Sequence, residues 1–236
     1  MNWNPLIASP SPRDIDVVKS ALMDCPYDIM YAKYFPMPQA VKLLYNYFIE
    51  HKQYTHFIWC PDDTVIRPSH IEALRKTLEK HDYPVLSGVC NVDLDEMPDY
   101  LSITRNLPHP RKNTKSQVGW RWYHWYHKDE AHGIIRVWHS GNACGIIRRD
   151  VLEKIKLTTD ETHNPTEPIQ EAGSVDVMFS NSCAVAKIQI LVDADVRMLH
   201  MRKHGPIDIT LGDGFMEFHD KTKRHLVKME NTFARN

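Results

Sequence analysis

The sequence predicts an α/β protein with a mixed, mostly parallel central sheet flanked by helices. Two observations carry this expectation. Short apolar runs of strand length alternate with helical patterns through residues 5–90, and single helices between strands imply crossover connections and parallel pairing. The composition, 42% hydrophobic and 25% charged over 236 residues, suits one domain with a buried core.

Residues 5–9 (PLIAS) read as a first strand running into a Ser/Pro loop, 14–23 as a helix and 27–31 as a second strand. Over 38–51, Val41, Leu44, Tyr45 and Phe48 keep the i, i+3, i+4, i+7 spacing of an amphipathic helix. Residues 55–60 (THFIWC) form a β-rich run, and a helix opens at Pro68-Ser69, where Ser69 and Glu72 have capping-box spacing. Residues 84–90 (PVLSGVC) read as the next strand. Residues 91–133 break the pattern with a loop-like LPHPRKNTKS and the aromatic run WRWYHWYH at 120–127. Regularity returns at 134–139, 145–147 and a short helix from Asp150. The polar stretch 157–173 reads as a loop, and between two such elements it is expected to act as a lid. Val175, Met178, Phe179, Ser182 and Ala186 share a helical face, 188–193 (IQILVD) is a strand, and the end of the chain is expected to be helical. The expected organisation is a core over 1–205 with a C-terminal helical extension over 206–236 packed on it.

Twenty-nine basic residues nearly cancel thirty acidic ones. A protein held to nucleic acid through phosphates carries a basic excess, so no nucleic-acid partner is expected. No apolar run has the length of a membrane span, so no transmembrane segment is expected. The start MNWNPLIASPSPRD lacks a basic region followed by an apolar stretch. The five cysteines are scattered without a Cys-x-x-Cys pair, and the expected setting is the cytoplasm with reduced thiols.

In open parallel sheets ligands bind beyond the carboxyl ends of the strands, so residues following strands draw attention. In FIWCPDDTVIRP an apolar strand runs into Asp62 and Asp63. Adjacent carboxylates repel unless a cation or hydrogen bonds compensate, and a hard divalent cation can do this while bridging phosphates. Alone, the pair better suits a solvated turn, because strand-end turns are rich in Asp. The Gly141–Gly145 segment GNACG permits close backbone approach or unusual dihedrals. Asp176 stands in the first turn of a helix, where a carboxylate also serves as a plain cap. His200 follows the strand reading ILVD.

In order and spacing these elements resemble the GT-A glycosyltransferases, particularly inverting enzymes that use nucleotide-sugar donors. Four segments carry the likeness: WCPDDTVIRPSHIEAL, GNACGIIRRDVLEKI, SVDVMF and ILVDADVRMLH. The resemblance spans roughly residues 1–205 and implies a GT-A (Rossmann-like) fold. It implies transfer of a sugar from a nucleotide-diphosphate donor to a hydroxyl of a glycan, lipid-linked or protein acceptor, assisted by Mn2+ or Mg2+. By the same resemblance Asp63 and His200 hold the metal, with Asp63 also on the donor diphosphate. Asp62 contacts ribose or the metal's water shell, Asp176 deprotonates the acceptor, and the strand end at Ala8 and Ser9 holds the base. Gly141, Asn142 and Arg202 are expected to complete the donor site; Arg202, Lys203 and His204 suit positive charge near the phosphates and, at least as well, a solvated basic loop. Two positions depart from the pattern: Pro61 stands where a first acid often lies, and Val175 replaces a Glu.

Three other readings compete. A nucleotidyltransferase would want a glycine-rich phosphate loop after the first strand, where this chain has SPSPRD. A degenerate GT-A-like module would bind nucleotide or glycan without turnover. A non-enzymatic interaction protein would use the aromatic run, which serves acceptor binding and simple packing equally well.

Overall fold

The structure, a computed structural model, describes residues 2–12, 16–92, 99–105, 125–155, 175–201, 214–221 and 226–229. Its centre is β1 (Pro5–Ser11), buried along its length and paired in parallel with β2 (Asp28–Lys33) and β3 (His56–Trp59). A strand buried on both faces reads as a continuous apolar run, which is why PLIAS and HFIW lack alternation. Helix α1 (Asp16–Leu22) connects β1 to β2, and α2 (Met37–Glu50) connects β2 to β3. Helix α2 buries Ala40, Val41, Leu44 and Phe48, the face that the spacing predicts. Its last carbonyls are closed by Arg149, whose guanidinium donates to Phe48 O at 2.7 Å and His51 O at 2.9 Å.

After the two-residue strand β4 (Thr64–Val65), α3 (Pro68–His81) leads to β5 (Val85–Val89). The α3 cap differs from the Ser69/Glu72 expectation. Arg67 is the residue before the helix and its N–H donates to His70 Nδ1, while Glu72 faces Arg75 one turn on. Proline at the first helical position moves the start one residue earlier.

A small antiparallel sheet follows, β6 (Tyr100–Thr104) flanked by β7 (Trp125–His127) and β9 (His139–Ser140), with β8 (Ile134–Val137) between them in the chain. Strand β10 (Gly145–Arg148) inserts antiparallel between β3 and β5. Helices α4 (Arg149–Ile155) and α5 (Val175–Val185) precede β11 (Ile190–Arg197), which pairs in parallel with β5 and antiparallel with β8. The pair β12 (Leu199–His200) and β4 forms a separate two-stranded ribbon.

The final strands, β13 (Phe215–His219) and β14 (Leu226–Met229), correct the expected helical extension. They form a hairpin whose first strand pairs antiparallel with β2, so this segment extends the sheet. The alternation in FMEFH explains it: Met216 and Phe218 pack against the core on one face, while Glu217 turns to the other and meets Lys33 at 2.7 Å. The main sheet thus has nine strands in the order β14-β13-β2-β1-β3-β10-β5-β11-β8. It is mixed, because β13, β10 and β8 run against their neighbours. Helix α2 packs with Phe48 edge-on to Phe57, within one core that reaches Phe179 of α5. No described helix is long and apolar enough to cross a membrane.

Candidate functional site

The carboxyl ends of β3, β5 and β11 lie along one edge of the sheet, and β10 enters from that edge through residues 141–144. Asp62 and Asp63 follow β3. Asp62 is buried at 2% exposure, whereas the Asp63 side chain keeps 23%. The adjacent acids therefore part ways, one into the protein and one toward the edge. The β4–β12 ribbon sets His200 opposite Thr64 in register, and Met201 N–H donates to Asp63 O at 2.6 Å. That backbone lock brings His200 Nε2 to 3.5 Å from Asp63 Oδ2, while His200 Nδ1 lies 3.1 Å from Asn91 O. With Nδ1 donating to a carbonyl, Nε2 carries its lone pair toward the carboxylate, the orientation a metal-ligating imidazole takes.

Ligand atoms about 2.0–2.2 Å from one ion and at right angles are about 3 Å apart. The Asp63–His200 separation is near that, so the pair fits two sites on a divalent cation. Among the described residues no group of three or more His, Cys, Asp or Glu side chains is placed to hold a metal. Such a pair suits an ion that takes its remaining ligands from water and substrate phosphates, as Mg2+ commonly does.

A second pair lies nearby. Asp176, in the first turn of α5, accepts from Val177 N–H at 2.9 Å through Oδ1. Its Oδ2 lies 3.6 Å from His139 Nε2. His139 sits on β9, with a side chain only 6% exposed, and burial holds its imidazole below the usual value while Asp176 acts the other way. His139 Nδ1 lies 3.2 Å from Ser180 Oγ, and the Trp125 ring of β7 stands edge-on to the imidazole at 6.4 Å.

Cys90 lies just past β5 and is buried. Burial pushes its thiol up to about 12, and the charges of Asp63 and Asp176 add to the shift. The Cys90 Sγ lies 3.3 Å from Ser102 Oγ.

The glycine segment borders the same edge. Gly141 N–H donates to Ser102 O at 2.8 Å, and a Cβ there would meet the Ser102 side chain at 3.1 Å. Asn142 adopts a left-handed φ of 51°, tolerated by Asn better than by most residues. It is fully buried, and among the described residues neither its Oδ1 nor its Nδ2 has a hydrogen-bond partner. A buried amide without partners costs roughly 1–3 kcal/mol per group.

Ala8 and Ser9 require a correction. Strand β1 runs on to Ser11, so both lie inside the strand and are buried, and Ala8 O accepts from Cys60 N–H. The strand-end position belongs to Ser11, whose Oγ is 3.0 Å from that of Ser9. Arg202, Lys203 and His204, the polar segment 157–173 and the aromatic residues 120–124 lie outside the described residues.

A cavity of about 340 Å³ opens at the opposite edge, lined by Thr55, His56, Arg148 and Arg149 among others. Its arginines are engaged, Arg148 with Asp82 and Asp150 and Arg149 with Glu153 and the α2 carbonyls. The chemistry therefore concentrates at the carboxyl edge. Sequence reasoning missed His139, Ser180 and Cys90. The one available signal for His139 was a polar His-Ser pair ending the apolar run IIRVW, directly before Gly141.

No protein-family model matches the chain, and no match to a curated protein is found. Among solved structures, the chain is similar to the crystal structure of A197 from STIV. The TM-score is 0.54 at 16% sequence identity, over 99% of this chain and 98% of that one. At that identity the likeness concerns fold.

Proposed function

We propose that this chain is a GT-A-type glycosyltransferase that moves a sugar from a nucleotide-diphosphate donor to an acceptor hydroxyl with a divalent metal, Mn2+ or Mg2+. The observation that carries the reading is the Asp63–His200 pair, which the β4–β12 ribbon holds together just past the carboxyl end of β3. This pair offers one carboxylate and one imidazole to a cation, which when bound would stabilise charge developing on the departing diphosphate. The Asp176–His139 pair offers a carboxylate at a helix start as general base toward an acceptor hydroxyl. The Gly141–Gly145 segment borders the donor side, with the Asn142 amide buried behind it. Trp125 supplies an aromatic wall near the base, suited to stacking on an acceptor sugar. All five cysteines are free and buried, which fits work in a reducing compartment such as the cytoplasm.

A panel of nucleoside-diphosphate sugars with manganese or magnesium, read by mass spectrometry of product and by nucleoside diphosphate release, tests the activity. Metal-dependent release that stops in Asp176→Asn supports it. Binding of nucleotide and metal without release from any donor would instead support a degenerate binding module. Val175 gives that alternative its footing, because this position packs into the core at 4% exposure where the family pattern has an acid.

A further inference from the structure

The proton positions around His139 follow from its neighbours. Ser180 Oγ has one proton, and it lies 2.8 Å from Asp176 O, a carbonyl that can only accept. That proton is spent on the carbonyl, because without it two oxygens would face each other at hydrogen-bonding distance. Ser180 Oγ is then an acceptor toward His139 Nδ1 at 3.2 Å, and Nδ1 carries the imidazole proton. In neutral His139 the nitrogen with the lone pair is Nε2, and it faces Asp176 Oδ2 at 3.6 Å. This is the reverse of a histidine that donates to an orienting carboxylate. Lone pair faces carboxylate, and the space between them suits one added proton.

We propose that Asp176 and His139 act as a single proton-accepting dyad, with Ser180 as the positioning residue that fixes the imidazole tautomer. The inference rests on the transferase reading for its substrate. As the acceptor oxygen attacks the anomeric carbon, its proton passes to Asp176 Oδ2. The bond from anomeric carbon to diphosphate oxygen breaks, and the nucleoside diphosphate leaves with the electron pair. The proton is then held between Oδ2 and His139 Nε2 and is released to water after the product departs. Asp176, 27% exposed, is the side that meets the acceptor; His139, 6% exposed, is the side that holds the proton away from solvent. Asp176 and Ser180 from α5 and the Trp125 ring from β7 act on His139, Asp176 as a charge.

The tautomer is measurable on the free protein. In protein labelled with 15N-histidine, long-range proton–nitrogen correlation separates protonated from bare ring nitrogens. The His139 signals are assigned by their loss in His139→Gln, or by their displacement in Ser180→Ala should the first variant fail to fold. We expect Nδ1 protonated and Nε2 bare near neutral pH, with that preference weakened in Ser180→Ala. A protonated Nε2 with a bare Nδ1 in the wild-type protein overturns the proposal whether or not the chain is a transferase. The second arm measures nucleoside diphosphate release from uridine, guanosine, adenosine, cytidine and thymidine diphosphate sugars with manganese. His139→Gln is expected to lower the rate about tenfold or more and to move the acid limb of the pH–rate profile, with nucleotide binding unchanged. A lowered rate with an unmoved profile would make His139 merely structural and overturn its proton role. Absence of turnover in the wild-type protein with every donor would count against the transferase reading, and the tautomer result would then decide the dyad alone.

Discussion

Removing the Asp63 carboxylate separates metal-dependent nucleotide binding from folding. In Asp63→Ala the β4–β12 ribbon should persist, because Met201 N–H is held by the Asp63 carbonyl and His200 by backbone register. The side chain itself is partly exposed, and the hydrogen bond it accepts from Thr64 Oγ1 is a long one at 3.3 Å. The intrinsic stability cost is therefore about 1 kcal/mol or less. A nucleoside diphosphate and manganese at about a hundred times the dissociation constant add roughly 2.7 kcal/mol to the wild-type protein. For a domain of this size that raises the melting temperature by about 5–10 °C. The ligand effect thus exceeds the mutational one, and a thermal melt can separate them. Wild type should show the shift with the right diphosphate plus metal, a chelator should erase it, and Asp63→Ala should melt near wild type but lack it. An undiminished shift in Asp63→Ala would remove Asp63 from the site. Failure of all five common nucleoside diphosphates to shift the wild-type melt at millimolar concentration, with either metal, would refute the donor site.

Three further outcomes are expected. Asp176→Asn should lower turnover by about two to four decades with donor binding retained, measured as nucleoside diphosphate release beside a binding isotherm. Arg149→Met should destabilise the fold by about 2 kcal/mol in urea titrations, because partly buried hydrogen bonds to Phe48 O, His51 O and Tyr54 O are lost together. Glu217→Gln should cost about 3 kcal/mol, since it removes the carboxylate that meets the buried Lys33 ammonium at 2.7 Å. Burial alone would raise the Glu217 carboxyl, but hydrogen bonds from Lys33 and His219 hold it below its usual value. A carboxyl depressed in the fold contributes stability that is present above its unfolded value and lost as pH falls through the folded one. Denaturant melts below about pH 4.5 should therefore show a steeper acid loss in wild type than in Glu217→Gln.

Much of the architecture was legible because strand and helix periods are local. The runs at 5–9, 55–60 and 84–90 became β1, β3 and β5, and the Val41, Leu44, Phe48 stripe became the buried face of α2. Strand direction was not legible: β10 reads as an ordinary apolar run, and its antiparallel insertion between β3 and β5 depends on partners far along the chain. The C-terminal hairpin escaped because Lys and Glu in and around β13 and β14 resemble the charge of a helix surface. Glu217 is in fact buried against Lys33, nearly 200 residues earlier in the sequence. The extent of β1 was misjudged for a related reason. Pro10 suggests a strand end, but it lies on the register with Ala32, and the strand continues to Ser11.

The site divides along the same line. Asp63 and His200 could be expected together because each follows an apolar strand, and strands of one parallel sheet deliver their ends to one edge. His139 has no such rule. It stands on a two-residue strand, and its importance depends on a tautomer set by Ser180, which is itself set by the carbonyl of Asp176 one helical turn earlier. That i to i+4 hydroxyl bond is common in helices and carries no functional signal in a sequence. Its consequence appears only when α5 lies against β9, so that the spent hydroxyl proton forces the imidazole to turn its lone pair on the carboxylate. The strand-end acid is thus a property of the fold class, while the character of the base is a property of one helix–strand contact.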